Sequence, residues 1–429
     1  MKPAGRLQAA IEILTEVVER HRPASQALAD WGRSHRFAGS GDRAAIGNLV
    51  YDALRHRGSI AWRMGGDTPR ALGLGVMAYF WGETAQQLSQ MFCDDPHAPE
   101  PLSDAEIKAL EIDDINTAPG WVQAEIPEWL EEPFRENFDE EFIAEGQALA
   151  LRPPADFRVN TLKSDREKVA KALKRYKLEP TPLSVTGLRL APSVGPSRMA
   201  NIQPEAAYQK GWVEVQDEGS QVCSSLVFAQ PGEQILDYCA GAGGKTLALA
   251  ASMANKGQIF AYDSDRTRLA PIYERLKRAG TRNVQVRAPD DTLEDLVQKM
   301  DRVVVDAPCT GSGVWRRRPD AKWRLTTDAM EKRFQEQRQV LEEAARFVRP
   351  GGYLCYITCS VLPQENEGQV YGFLEEHVDF ELLSAGEVWE DLFSESGPKP
   401  WSSDDCTVTL TPAATGTDGF FFAVLGRVS

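Results

Sequence analysis

The stretch Gln234-Ile235-Leu236-Asp237-Tyr238-Cys239-Ala240-Gly241-Ala242-Gly243-Gly244-Lys245-Thr246 decides how the rest of the chain is read. A short apolar run ends on a carboxylate, a glycine-rich loop follows, and residues 247–253 have helical character. Glycines let such a loop turn tightly and bring backbone N–H groups against a ligand at a helix N-terminus. Three ligands compete for it. A nucleotide triphosphate is suggested by Gly244-Lys245-Thr246 and the acidic-ended run 303–306, but Cys239 stands where a P-loop needs glycine. A dinucleotide is disfavoured because Lys245 and Thr246 break the G-x-G-x-x-G spacing. S-adenosylmethionine needs a carboxylate for its ribose at the end of the next strand, and Asp263 closes Ile259-Phe260-Ala261-Tyr262-Asp263. Asp290, after the third strand, brackets the adenine in the same reading. An isolated aspartate is more often a helix N-cap, but two in this order behind one glycine loop favour the cofactor.

Outward from the loop, strand-like runs at 234–237, 258–262, 284–286, 302–305 and 352–358 alternate with helical segments. That is the pattern of a doubly wound, mostly parallel sheet, and it assigns residues 212–429 to one α/β domain. Upstream, residues 1–92 read as helices, with apolar positions Ala10, Ile11, Leu14, Val17 and Val18 at helical spacing. Residues 93–120, rich in Asp, Glu and Pro, read as an acidic linker. Residues 121–211 read as an α+β module of the RNA-recognition kind, with strands in Phe157-Arg158-Val159-Asn160 and at 187–190 and a basic helix through Lys171, Lys174, Arg175 and Lys177.

The chain of 429 residues has a formal net charge of −15, which argues against a general polyanion binder until it is located. Residues 93–145 hold 17 acidic side chains against Lys108 and Arg135, so the remaining chain is balanced and free to carry local basic patches. No apolar run reaches the roughly 18 residues of a membrane span, and the first 30 residues lack a signal-peptide core. Seven cysteines without a regular framework fit free thiols in a reducing, cytoplasmic setting.

Two of those cysteines stand just past apolar strands: Cys309 in Asp306-Ala307-Pro308-Cys309-Thr310-Gly311-Ser312-Gly313, and Cys359 in Tyr356-Ile357-Thr358-Cys359-Ser360. Ligands of open α/β sheets bind outside the carboxyl ends of the strands, so both thiols are expected at one crevice. Methylating C5 of a pyrimidine requires addition at C6 first, which a thiolate can do, and a second group must then help the product leave. Cys93, Cys223, Cys239 as a side chain, Cys355 and Cys406 are read as structural, the commoner fate of a cysteine in an apolar context. Cys355 and Cys359 lie roughly 13 Å apart along a strand, too far for a disulfide or a metal pair. No metal is expected. The five histidines fall outside these motifs and offer no base. The segment Trp315-Arg316-Arg317-Arg318-Pro319-Asp320-Ala321-Lys322-Trp323-Arg324 interleaves aromatics with cations and is expected to stack bases and hold phosphates of single-stranded RNA.

These motifs resemble the RsmB/Nop/Sun family of RNA cytosine-5 methyltransferases. The likeness rests on the loop 237–246, on Asp306-Ala307-Pro308-Cys309, and on Thr358-Cys359-Ser360 with Pro363-Gln364-Glu365-Asn366. Arg158-Val159-Asn160, Gln216-Asp217 and Asp418-Gly419-Phe420-Phe421 add to it. The amino-terminal helices, notably around 40–55, are similar to the NusB-like domain of bacterial 16S rRNA members. The resemblance implies a Rossmann-like S-adenosylmethionine-dependent domain, with Cys359 as nucleophile and Cys309 assisting release. It also implies a cofactor site built from Cys239, Ala240, Gly241, Ala242, Gly243, Gly244, Lys245, Asp263, Arg268, Asp290 and Asp306, with Lys245 and Asp306 also beside the target base. The expected partner is RNA, 16S ribosomal RNA first and tRNA or another RNA second, handled by a monomer with the base unstacked. The competing readings are a non-catalytic RNA-binding or ribosome-assembly factor and a P-loop ATPase.

Overall fold

The computed structural model describes residues 1–112, 114–393, 397–401 and 405–428. By contacts the chain divides into two units: Met1–Pro153 with Pro192–Met199 and Trp315–Leu325, and Pro154–Ala191 with Ala200–Val314 and Thr326–Ser429.

The first unit is helical. Helices Pro3–Val18, Ala24–Ser34 and Ser40–Arg55 bury Leu7, Ile13, Leu14, Ile46, Leu49 and Val50 in one core. Buried Asp52 accepts hydrogen bonds from Arg55 Nη1 at 2.9 Å, Trp81 Nε1 at 3.0 Å and Arg152 Nε at 2.8 Å, which satisfies a carboxylate that would otherwise be costly to bury. The helices over Gly120–Gln123, Glu131–Phe138 and Phe142–Ala150, from the amino-terminal part of the module read at 121–211, group with this unit.

Residues 315–324 correct the sequence reading. They do not form a solvated cation-and-aromatic surface. Trp315 is 1% exposed and its ring stacks on Phe134 at 6.0 Å. Lys322, also 1% exposed, donates to the carbonyl of Arg55 at 3.2 Å, and Trp323 Nε1 donates to that of Leu54 at 2.6 Å. The Arg316 carbonyl accepts two bonds from the Arg55 guanidinium, at 3.0 and 2.8 Å. The physical reason is that the carbonyls at the end of helix Ser40–Arg55 lack helical partners and draw in donors, while the tryptophans bury large apolar faces. Within this segment only Arg318 and Arg324 are exposed.

The second unit holds two sheets. Strands β1 (Ala155–Val159), β2 (Glu179–Pro180), β3 (Gly187–Leu190) and β4 (Val213–Val215) form an antiparallel sheet in the order β2-β3-β1-β4. The larger sheet contains β5 (Gln234–Asp237), β6 (Gln258–Ala261), β7 (Val284–Val286), β8 (Met300–Asp306), β9 (Val348–Thr358), β10 (Phe380–Leu383), β11 (Val408–Leu410) and β12 (Phe420–Arg427). Its order is β10-β12-β9-β8-β5-β6-β7, with β11 paired to β12. Strands β5 to β9 run parallel, and β12 is antiparallel to both β9 and β10. The chain winds one way through β5, β6 and β7 and the other way through β8 and β9, so the topological switch point falls between β5 and β8. The α/β Rossmann-like fold class read from the sequence stands.

Burial follows the position of each strand in the sheet. Val303, Val304 and Val305 of β8 and Leu354, Cys355, Tyr356 and Ile357 of β9 are all buried, as expected for strands covered on both faces. Strand β12, Phe-Phe-Phe-Ala-Val-Leu-Gly-Arg, is also buried along almost its whole length and shows no period-two alternation. Neither β12 nor its neighbour β10 is among the strand-like runs of the sequence, although Phe420 and Phe421 fall in a quoted motif.

Candidate active site

Strands β5, β6 and β8 deliver the residues of the glycine loop and its carboxylates to one end of the large sheet. The turn after β5 closes through Gly243 N to Ala240 O at 2.8 Å, and helix Gly244–Ser252 begins directly after it. Gly243 adopts φ 82°, and a Cβ there would sit 2.5 Å from Ile272, so this position requires glycine on both counts. Beyond Gly244 lies open space, and its backbone faces a cleft of about 430 Å³. Cys239, Ala240, Gly241, Ala242, Lys245, Arg268 and Asp306 line that cleft, as do Ser220, Asp237, Thr267 and Pro271, which were not singled out as site residues. Asp263, 2% exposed, accepts the Gly241 N–H at 2.9 Å and lies 3.5 Å from Arg268 Nη2. Asp290 is exposed past the end of β7 and is not among the cleft residues.

Two buried groups set the electrostatics of the cleft. Asp237 accepts from Thr246 Oγ1 at 2.6 Å, while its Oδ1 is buried without a partner. Burial pushes this carboxyl up to about 7, with the Thr246 hydroxyl pulling the other way. Lys245 is buried; burial alone would lower its pKa, but Asp306 at 2.7 Å overrides it and holds the ammonium above its ordinary range. The Lys245 Nζ also stands 5.3 Å from the Phe420 ring.

The sheet brings the two sulfurs together. Asp306 of β8 pairs with Ile357 of β9, so Cys309, three residues beyond one, and Cys359, two beyond the other, leave adjacent strands at matched height. Their Sγ atoms are 3.3 Å apart. The Cys359 contact, with burial second, pushes the Cys309 thiol well above its ordinary range. Gly313 N donates to Cys359 O at 3.0 Å, and Gly419 N donates to Gly313 O at 2.8 Å, so the segment before β12 backs both cysteine loops. Glu365, quoted in the sequence only as part of a motif, is fully buried between them. Cys223 and Cys355 are buried inside the core, and no cysteine among the described residues is paired in a disulfide. No group of three or more potential metal ligands occurs among the described residues.

A mostly parallel sheet of this strand order, with a glycine loop at its switch point and a cysteine past each of β8 and β9, defines a Rossmann-like methyltransferase domain. The model described as 16S rRNA methyltransferase RsmB/F matches residues 225–426, and that of the RsmF/B-like ferredoxin-like domain matches 126–195. The probable ribosomal RNA small subunit methyltransferase B of Synechocystis sp. is 32% identical over 316 residues, covering 71% of this chain and 67% of that protein. The chain spans about two thirds of the length of the curated relatives it matches. The crystal structure of PH0851 has a TM-score of 0.74 and 27% identity over 100% of both chains. That of a methyltransferase homolog protein from Pyrococcus horikoshii has a TM-score of 0.59 and 27% identity, covering 72% of this chain and 98% of that one. The chain belongs to the 16S rRNA methyltransferase RsmB/F family, a class that methylates RNA from S-adenosylmethionine. No helix among the described residues is long and apolar enough to cross a membrane.

Proposed function

We propose that this protein methylates C5 of a cytidine in 16S ribosomal RNA through a covalent adduct at Cys359. The observation that carries the reading is the pair of sulfurs 3.3 Å apart at the ends of adjacent strands, beside the glycine-loop cleft.

The cleft suits S-adenosylmethionine. Its volume is within the range of small-molecule sites, the unpartnered Asp237 Oδ1 offers an acceptor, and Gly244 leaves the helix terminus open to approach. Asp263 would take the ribose hydroxyls and Asp290 would stand toward the adenine, with Cys239, Ala240, Gly241, Ala242, Gly243, Arg268 and Asp306 around the remainder. When bound, the cofactor supplies an electrophilic methyl group.

The protein's own residues do the rest. Cys359 sulfur adds to C6 of the cytosine, forming a C–S bond and making C5 nucleophilic. Once C5 is methylated it loses its proton, the C6–sulfur bond breaks, and the ring double bond returns. Cys309 assists this second stage. Lys245 and Asp306, ion-paired at 2.7 Å, hold fixed charge beside the ring. A base stacked in a helix cannot reach such a pocket, so the target must be unstacked first.

The test is methyl transfer from labelled S-adenosylmethionine to transcripts of 16S ribosomal RNA and of tRNA, followed by identification of the modified nucleoside. The expected product is 5-methylcytidine in the ribosomal transcript. Methyl groups on ribose or on a ring nitrogen would overturn the chemistry, and exclusive modification of tRNA would overturn the substrate.

A further inference from the structure

Glu365 lies in the short turn Pro363–Glu365 after Cys359 and is fully buried. Its side chain gathers donors from three elements. Oε1 accepts from Thr310 N at 2.8 Å and from Gln337 Nε2 at 2.9 Å. Oε2 accepts from the hydroxyls of Thr310 and Ser360. Thr310 follows Cys309 and Ser360 follows Cys359, so one carboxylate ties two thiol loops that stand 50 residues apart in sequence. Gln337, on helix Thr327–Ala345, uses the same amide nitrogen to hold the Pro308 carbonyl at 2.9 Å. The Glu365 carbonyl accepts from Tyr356 of β9 at 2.7 Å.

The chemistry needs a carboxylate here. Four donors converge on two oxygens, and an ionised carboxyl is the side chain that accepts from all of them without presenting a hydrogen of its own. The Ser360 hydroxyl spends its hydrogen on Glu365, so Ser312 donates to Ser360 at 2.8 Å while accepting from Val361 N at 2.9 Å. The direction of the whole chain of hydroxyls is thereby set.

We infer that Glu365 is a positioning residue that holds Cys309 against Cys359 and is required chiefly for release of the methylated base. The inference rests on the two-thiol reading given above. The asymmetry of the contacts supplies its direction. Three of the four donors belong to the Cys309 loop or brace it through Gln337, and one belongs to the Cys359 loop. The Cys359 end has independent supports: Thr358 Oγ1 donates to Asn366 Oδ1 at 2.6 Å, and Gly313 N to Cys359 O at 3.0 Å. Loss of the carboxylate should therefore free Cys309 more than Cys359, so that addition proceeds and elimination stalls.

The experiment uses the full chain, S-adenosylmethionine and a transcript of 16S ribosomal RNA, and compares the first turnover with the steady state. In Glu365→Gln the steady-state rate should fall about 100-fold, the scale of a small misplacement at a reacting centre, with the first turnover largely retained. A protein–RNA adduct should persist on a denaturing gel, as for Cys309→Ala. Glu365→Asp, which keeps the charge, should recover part of the rate. Thr310→Val, which removes one donor from the Cys309 loop alone, should give a milder stall and decides the matter if Glu365→Gln fails to fold. A proportional fall of adduct, first turnover and steady state together would overturn the inference, as would an unchanged steady state. If Cys309→Ala itself forms no adduct, it is the two-thiol reading that has failed. If Cys309→Ala stalls and neither Glu365→Gln nor Thr310→Val does, only the role of Glu365 is wrong.

Discussion

Cys309 Sγ lies 3.3 Å from Cys359 Sγ, and that contact, reinforced by burial, keeps the Cys309 thiol protonated well above its ordinary range. A thiol held in its protonated form fits the part proposed for Cys309, which acts after the attack proposed for Cys359. Alkylation of the native protein by iodoacetamide at pH 8 should label Cys309 about tenfold more slowly than Cys359, because the thiolate is the reactive form and Cys309 is held as the thiol. Peptide mass spectrometry after timed quenching reads the ratio; faster labelling of Cys309 would reverse the assignment.

Asp237 adds a pH dependence of known sign. Its carboxyl is raised from 3.8 to about 7, so the folded state binds the proton more tightly than the unfolded chain. The corresponding stability is present in full below pH 4 and is lost as pH rises through 7, on the order of 4 kcal/mol in total. Asp237→Asn should flatten that part of the stability curve between pH 4 and 7 in urea titrations. It should also weaken S-adenosylmethionine binding, since one of the two carboxylate oxygens becomes an NH2 group, either beside the Thr246 hydroxyl or toward the cleft. An unchanged slope would mean that Asp237 is not the group responsible.

Lys322 tests the reassignment of 315–324 from RNA surface to helical core. Burial, partly offset by Glu125, lowers its pKa from 10.5 to about 8. Stability from this group is full above pH 10.5 and falls as pH drops through 8, a penalty of about 3 kcal/mol below that range. Lys322→Met should raise the unfolding free energy at pH 7 by part of that amount, with the lost bond to the Arg55 carbonyl as the offset. RNA affinity in filter binding should be unchanged. A drop in affinity with a salt slope reduced by about one unit would restore a phosphate contact.

Gly313 marks the tightest backbone approach near the thiols. A Cβ there would sit 2.2 Å from the Gly419 carbonyl oxygen, a clash with backbone that no rotamer relieves. Gly313→Ala should cost about 2–4 kcal/mol of stability in chemical denaturation and slow methyl transfer, because the same residue holds the Cys359 carbonyl. Wild-type stability would show that the two loops separate freely.

Legibility followed the physics of each element. The parallel core strands end in carboxylates, glycines and cysteines that stand out from the apolar runs, so Asp237, Asp263, Asp306, Cys309 and Cys359 could be placed at strand ends from local sequence. Strand β10 could not, because it is a four-residue edge strand with only Phe380 buried, and β12 could not, because an apolar run without alternation does not by itself separate a strand from a buried helix. The cation-rich segment misled for a related reason: its composition was that of a surface, but carbonyls near the end of helix Ser40–Arg55 claimed Lys322 and Trp323. Glu365 was invisible as a bridge because its partners, Thr310 and Gln337, are brought to it by the fold alone.

The central claim is that Cys359 becomes bonded to the pyrimidine. Its most direct test is mass spectrometry of peptides from Cys309→Ala protein incubated with S-adenosylmethionine and 16S ribosomal RNA, then digested with nuclease and protease. A methylated cytidine nucleotide is expected on the peptide bearing Cys359, and none when Cys359→Ala is added. A nucleotide on any other residue, or full methylation by Cys359→Ser protein without an adduct, would contradict it.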